Sequence, residues 1–190
     1  MVDLAKHQAK ICLTASGMLL RNEQVLLIRH KKLDCWLCPG GHIDSQELPH
    51  KAAEREFFEE TGVLVKAADF LFQGNSDRTQ FFPSPIETNL HWVSRSNYQQ
   101  RLASSNPDKR VKTKLWPKGC EQHLNLVYLV TLEQENQQLP ELKPNQREVT
   151  NIGWFDQQQL EKIKASQDLK QQIDHGLKIM SQFKHQPFYH

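Results

Sequence analysis

No stretch of this chain approaches the roughly 18 consecutive apolar residues that a membrane-spanning helix requires, so a helical membrane protein is not expected. The first ten residues include Asp3, Lys6, His7 and Lys10, and the apolar run after them lacks a small-residue cleavage site. That pattern argues against a secretory leader. Charge of one sign is also missing. With 24 Lys and Arg against 22 Asp and Glu, the net charge is +2, too small a field to imply nucleic acid as a partner. Cysteine is sparse, at four residues, and a cytoplasmic protein with reduced thiols is expected. The chain shows no internal repeat, no low-complexity tract and no composition break that would mark a second domain.

What is present fits one domain over residues 1–190, long enough to bury a core, with 38% hydrophobic and 24% charged residues. Residues 11–20 and 25–28 are apolar, β-capable runs separated by the polar Arg21-Asn22-Glu23-Gln24, which predicts a hairpin. His30, Lys31 and Lys32 follow at once and are candidates to touch the phosphates of a substrate. Pro39, Gly40 and Gly41 then form a sharp turn where backbone is able to approach a ligand. A short acidic helix follows, with Pro49 near its start and Gly62 just past its end. Ala52, Ala53 and Phe57 mark the side that packs on a sheet. Glu56, Glu59 and Glu60 stand at i, i+3 and i+4 and so project from one face. Three glutamates alone also describe a solvated face. Their mutual repulsion, roughly 0.2–0.5 kcal/mol per pair on an exposed helix, is offset if they hold a cation. Carboxylate oxygens suit Mg²⁺ or Mn²⁺.

Spacing narrows this reading. Gly41, five residues, Glu47, seven residues, Arg55-Glu56-Phe57, one residue, Glu59-Glu60, one residue, Gly62-Val63 fills every fixed position of the Nudix box. The chain resembles a Nudix hydrolase, most strongly over residues 24–63 and more loosely to about residue 165. The resemblance implies an α/β fold, an α/β/α sandwich with a mixed central sheet. It also implies a metal-dependent hydrolase that cleaves a diphosphate linkage in a nucleoside diphosphate joined to another moiety. Under it the Gly40 carbonyl, Glu56, Glu59 and Glu60 are metal ligands, with Glu59, Glu60 or Glu148 accepting a proton from water. Arg55 and Glu47, outside the three-glutamate cluster, form an ion pair that ties the loop to the helix and orients a catalytic carboxylate. Many Nudix enzymes dimerise, so a homodimer is compatible with the resemblance. An inactive ligand-sensing module and a Nudix-fold isomerase of isoprenoid diphosphates are the rival classes, and the intact box speaks against both. Nucleoside triphosphates, dinucleoside polyphosphates and nucleotide sugars all stay open as substrates. Trp92, Trp116, Phe81 and Phe82 are candidates for a base-stacking face.

The remainder reads as strands at residues 64–72, 86–94, 123–132 and 149–155, then helices at 157–164 and 166–184. A basic insertion at about 94–119 is too long for a hairpin loop and is a candidate lid over an anionic substrate. Cys35 and Cys38, with Cys120 and His123, make two half-sites that would suit zinc if they met. Buried thiols are the competing expectation.

Overall fold

The computed structural model describes residues 9–69, 77–94, 96, 98–99, 103, 120–133 and 141–183. Strand β1 (Ile11–Arg21) turns into β2 (Gln24–His30) through Asn22 and Glu23, at φ 49° and 61°. Two consecutive positive-φ residues are what a tight hairpin with the right-handed strand twist demands. Two three-residue strands, β3 (Cys35–Leu37) and β4 (Gly40–His42), lead into helix α1 (Pro49–Thr61). Beyond it lie β5 (Val65–Ala67), β6 (Glu87–Trp92), β7 (Gln122–Leu132), β8 (Val149–Phe155), α2 (Gln157–Lys162) and α3 (Gln167–Phe183).

The strands form a mixed sheet. Along its main path the order is β3-β2-β1-β7-β5, with β4 on β1, β6 on β7 and β8 on β2. The parallel pair is β1 with β7, in register from Ile11↔Gln122 to Leu19↔Val130. All other pairs are antiparallel.

Strand alternation divides the core in two. Ala15, Leu19, Leu26, Tyr128 and Val130 face α1, where Ala52, Ala53 and Phe57 are fully buried. Met18, Val25, Leu27, Val127 and Leu129 face the other way, against Leu160 of α2 and Leu169 and Ile173 of α3. The result is the α/β/α sandwich. Phe57 fills the α1 side, and its truncation to Ala would cost about 3–5 kcal/mol.

Local chemistry sets the helix ends. Pro49 occupies the first turn of α1, and Gly62 caps it at φ 74° with its N–H donating to the Phe58 carbonyl at 2.8 Å. Helix α2 opens on a capping box in which Asp156 and Gln159 satisfy each other's backbone N–H. It ends at Lys162 rather than residue 164, because Lys164 adopts a φ of 53°. Ser166 precedes α3 as its cap, its hydroxyl accepting from the Leu169 N–H at 3.2 Å. Within residues 64–69, only Val65–Ala67 forms the strand expected over 64–72. The insertion at 94–119 falls almost wholly outside the described residues.

Candidate active site

The site begins with the glycines. Strand β4 pairs with the middle of β1, Ser16 opposite Gly40 and Ala15 opposite Gly41. α1 lies against this strand so closely that a Cβ on Gly41 would run into the Glu56 carboxylate. One helical turn on, the Glu60 carboxylate accepts the Gly40 N–H at 2.9 Å. Glycine at 41 is therefore a matter of space, and it lets two carboxylates of one helix face close on backbone.

Arg55 sits in the middle of the acids. Its Nε and Nη2 donate to the two oxygens of Glu47 at 2.8 and 2.9 Å, a bidentate pair. Its Nη1 reaches Glu56 at 2.9 Å and Glu59 at 3.4 Å, and Nη2 also donates to the His42 carbonyl at 3.0 Å. The sequence expectation that Arg55 stands outside the glutamate cluster is corrected here. A guanidinium presents five donors on a long stem, so it clamps Glu47 and still reaches its neighbours. The hydrogen bonds from Arg55 hold the Glu47 carboxyl below its usual range.

The three glutamates differ in surroundings. Glu59 is exposed, Glu56 is half-buried and Glu60 is only 2% exposed. Burial pushes the Glu60 carboxyl up to about 8, and the nearby charges of Glu56, Glu148 and Glu59 act the same way, against the Gly40 N–H. Burial also raises Glu56; Arg55 opposes it, while Glu59 and Glu148 add to it.

Glu148 joins the cluster from the far end of the chain. The Asn145 N–H donates to the Glu60 carbonyl at 3.3 Å, fastening the loop before β8 to the end of α1. The Glu148 carbonyl in turn accepts the Lys31 N–H at 2.7 Å. His30, at the end of β2, lies within the field of Glu148; burial lowers its pKa and Glu148 partly restores it. Lys31 and Lys32 are exposed beside it.

Glu59 and Glu148 thus act electrostatically on Glu56 and Glu60, with the Arg55 guanidinium among them, and burial raises Glu60 the most, to about 8. Oxygen donors of this kind, with a main-chain glycine alongside, fit a hard divalent ion such as Mg²⁺ or Mn²⁺.

Other expectations fall elsewhere. Phe81 and Phe82 are exposed, and Phe82 stacks on His50 at the start of α1 with ring centroids 5.0 Å apart. Trp92 packs against Tyr98 at 5.3 Å. Trp116 lies outside the described residues. The two cysteine half-sites do not meet: Cys35 is exposed on β3 and Cys38 is buried in the core beneath α2 and α3. Among the described residues, the trio Cys12, His42 and Cys120 brings metal-ligating atoms within 4.8 Å of one another. Sequence spacing gave no sign of it, because its members come from three distant stretches.

Comparison with known proteins bears on family and fold. The family model described as NUDIX domain matches residues 13–175. Over 76 residues the chain is 38% identical to the diphosphoinositol polyphosphate phosphohydrolase 3-beta of Bos taurus, covering 38% of this chain and 44% of that protein. Over 45 residues it is 42% identical to a putative 8-oxo-dGTP diphosphatase of Bacillus subtilis, covering 24% and 30% of the two chains. The chain thus matches less than half the length of these curated relatives. A solved NUDIX-family hydrolase from Clostridium perfringens shares the fold with a TM-score of 0.63 at 22% identity, over 88% of this chain and 97% of that one.

Proposed function

The chain belongs to the Nudix family, and from that premise we propose that it is a pyrophosphohydrolase, a divalent-metal-dependent enzyme that cleaves the diphosphate linkage of a nucleoside diphosphate joined to a further moiety. The observation that carries this reading is the convergence of Glu56, Glu59, Glu60 and Glu148 beside Gly40, with Glu60 raised to about 8. Such a set is costly without a cation and well matched to one.

Glu56, Glu59, Glu60 and the Gly40 carbonyl would hold the ion. Bound there, it supplies positive charge against the phosphoryl oxygens, whose own charge otherwise repels a nucleophile. The protein's residues do the rest. Arg55, clamped by Glu47, fixes the direction of the Glu56 carboxylate. Glu148 stands on a loop rather than on the helix, which frees it to accept the proton of the attacking water. His30, Lys31 and Lys32, beside Glu148, meet the outer phosphate. The two named relatives, which act on diphosphoinositol polyphosphates and, putatively, on 8-oxo-dGTP, both point to a diphosphate linkage. A nucleotide derivative is the favoured substrate here, and the cytoplasm the expected compartment.

The test is a phosphate-release screen with Mg²⁺ or Mn²⁺ and a coupled phosphatase. Nucleoside triphosphates, dinucleoside polyphosphates, nucleotide sugars, ADP-ribose, coenzyme A and an inositol pyrophosphate form the panel. One class turned over by wild type and not by Glu60→Gln is the expected result. Silence across the panel with both ions would sink the proposal.

A further inference from the structure

We propose that Cys12, His42 and Cys120 form a second metal site, distinct from the carboxylates and suited to a thiolate-preferring divalent ion such as Zn²⁺. The inference does not depend on the proposed hydrolase activity.

Three parts of the sheet bring the ligands together. Cys12 lies on β1. His42 ends β4 and pairs with Thr14, two residues from Cys12, so both side chains leave the same face of the sheet. Cys120 precedes β7, whose Gln122 pairs with Ile11. Their ligand atoms all lie within 4.8 Å of one another. The Cys120 Sγ is 3.4 Å from His42 Nε2 and 2.7 Å from Cys12 Sγ. Around a tetrahedral zinc, with bonds of about 2.3 Å to sulfur and 2.0 Å to nitrogen, a sulfur and a nitrogen stand roughly 3.5 Å apart and two sulfurs roughly 3.8 Å. The Cys120–His42 pair already has that spacing, and the two sulfurs need to part by about 1 Å.

A further imidazole lies beside the trio, outside the group whose ligand atoms stand within 4.8 Å of one another. His123 pairs with Cys12 across β1 and β7, and its ring meets that of His42 edge-on at a centroid distance of 5.0 Å. Its Nε2 is buried and has no hydrogen-bond partner among the described residues. Two thiolates with one or two imidazoles favour Zn²⁺ over Mg²⁺, as the acidic set favours the reverse. Binding releases the two thiol protons.

The site has a mechanical meaning. His42 follows Gly41 directly, and its carbonyl is held by Arg55. An ion on its imidazole would staple the glycine strand to β1 and to the entrance of β7.

The experiment uses the full chain, reduced and stripped with a chelator, titrated with Co²⁺ as a spectroscopic stand-in for Zn²⁺. One equivalent should bring tetrahedral ligand-field bands with thiolate-to-metal charge transfer, and Zn²⁺ should displace them and raise the melting temperature. Cys120→Ser and Cys12→Ser should lose the charge-transfer band, whereas Cys35→Ser, an exposed thiol elsewhere, should keep it. X-ray absorption on the Zn²⁺-loaded wild type should count two sulfurs, a readout that needs no variant to fold. Absence of the band in wild type would overturn the proposal. So would a band lost with Cys35 instead, or a Cys12–Cys120 disulfide that on reduction yields thiols indifferent to Co²⁺.

Discussion

Two proposed ligand sets meet at strand β4, one built from oxygen and the other from sulfur and nitrogen. The oxygen set takes Glu56, Glu59 and Glu60 from five consecutive positions of a single helix, with Glu148 brought beside it from a loop as the proposed proton acceptor. The sulfur and nitrogen set takes one residue each from positions 12, 42 and 120. The helix places its carboxylates by its own period, whatever surrounds it. The sheet places its thiols only through strand register, so they exist as a set only once the fold is complete. Chemistry differs in parallel: the oxygen set carries repelling charges, with one carboxyl raised to about 8, whereas the other set gathers small polarisable groups.

The largest effect that separates the two sets is expected from Glu148→Gln. Loss of a proton acceptor should lower kcat by roughly 10²–10⁴-fold. Mg²⁺ affinity should change little, and a Mg²⁺ titration beside the kinetics distinguishes the roles. If affinity falls while kcat at saturating Mg²⁺ holds, Glu148 is a ligand and not the base.

Arg55→Lys should follow, with a loss of about 10–100-fold in metal affinity or turnover, because an ammonium cannot bridge Glu47 and Glu56 in one plane. The Co²⁺ spectrum of the thiolate set should not move. A shift there would show that the sets are coupled through the His42 carbonyl.

Cys120→Ser should remove the Zn²⁺-dependent rise in melting temperature and cost less Mg²⁺-dependent turnover than Arg55→Lys. Side-by-side assays at matched Mg²⁺ check the ranking. An equal loss would mean that the staple on β4 is needed for the oxygen set to work.

The smallest expected effect is on stability against pH without divalent ions. Glu60 titrates at about 8 in the folded chain against 4.5 for an ordinary glutamate. Between those values the folded state holds a proton that the unfolded state has released. The contribution of Glu60 to stability should therefore fall as pH rises through this window and level off above it. Mg²⁺ favours the ionised carboxylate and should flatten the fall, as should Glu60→Gln. Buried histidines such as His123 pull the other way below about pH 6.5, so the comparison is with Glu60→Gln: a wild type whose melting temperature falls no more steeply with pH than that variant's would contradict the neutral Glu60.

The contrast between the sets also explains what was legible in the sequence. The glutamates, Gly41, Glu47 and the ends of α1 were readable because each is a local signal: a helical period, a proline, a capping glycine. Strand β8 is expected at residues 149–155, between Arg147-Glu148 and the helix that Asp156 begins, and Val149–Phe155 is the strand formed. The reach of Arg55 into Glu56 and Glu59 was missed, since adjacent helical residues do not face each other and only a long side chain that doubles back connects them. Cys12 lies inside an apolar run, where nothing local marks it as a ligand. Its partners at 42 and 120 are set by the β1–β4 and β1–β7 registers, which no local pattern encodes. The same reasoning covers Glu148, expected from its place before the last strand, whose loop is fastened to the end of α1 by the Lys143 bond to Thr61 and the Asn145 bond to Glu60.

The parallel pairing of β1 with β7 has a consequence in time. Nine registered residue pairs join positions more than a hundred residues apart. During synthesis the hairpin of β1 and β2 is available early, but the other edge of β1 waits for residues 122–130 to emerge. At about 5–20 residues per second that interval is roughly 5–20 s. Over it, a long apolar strand edge stands open to the wrong neighbour. Contacts this distant also slow folding itself, because the loop must close before the pairing repays it. The nascent chain should accordingly need the most protection late in its synthesis, just before β7 arrives to take the place beside β1.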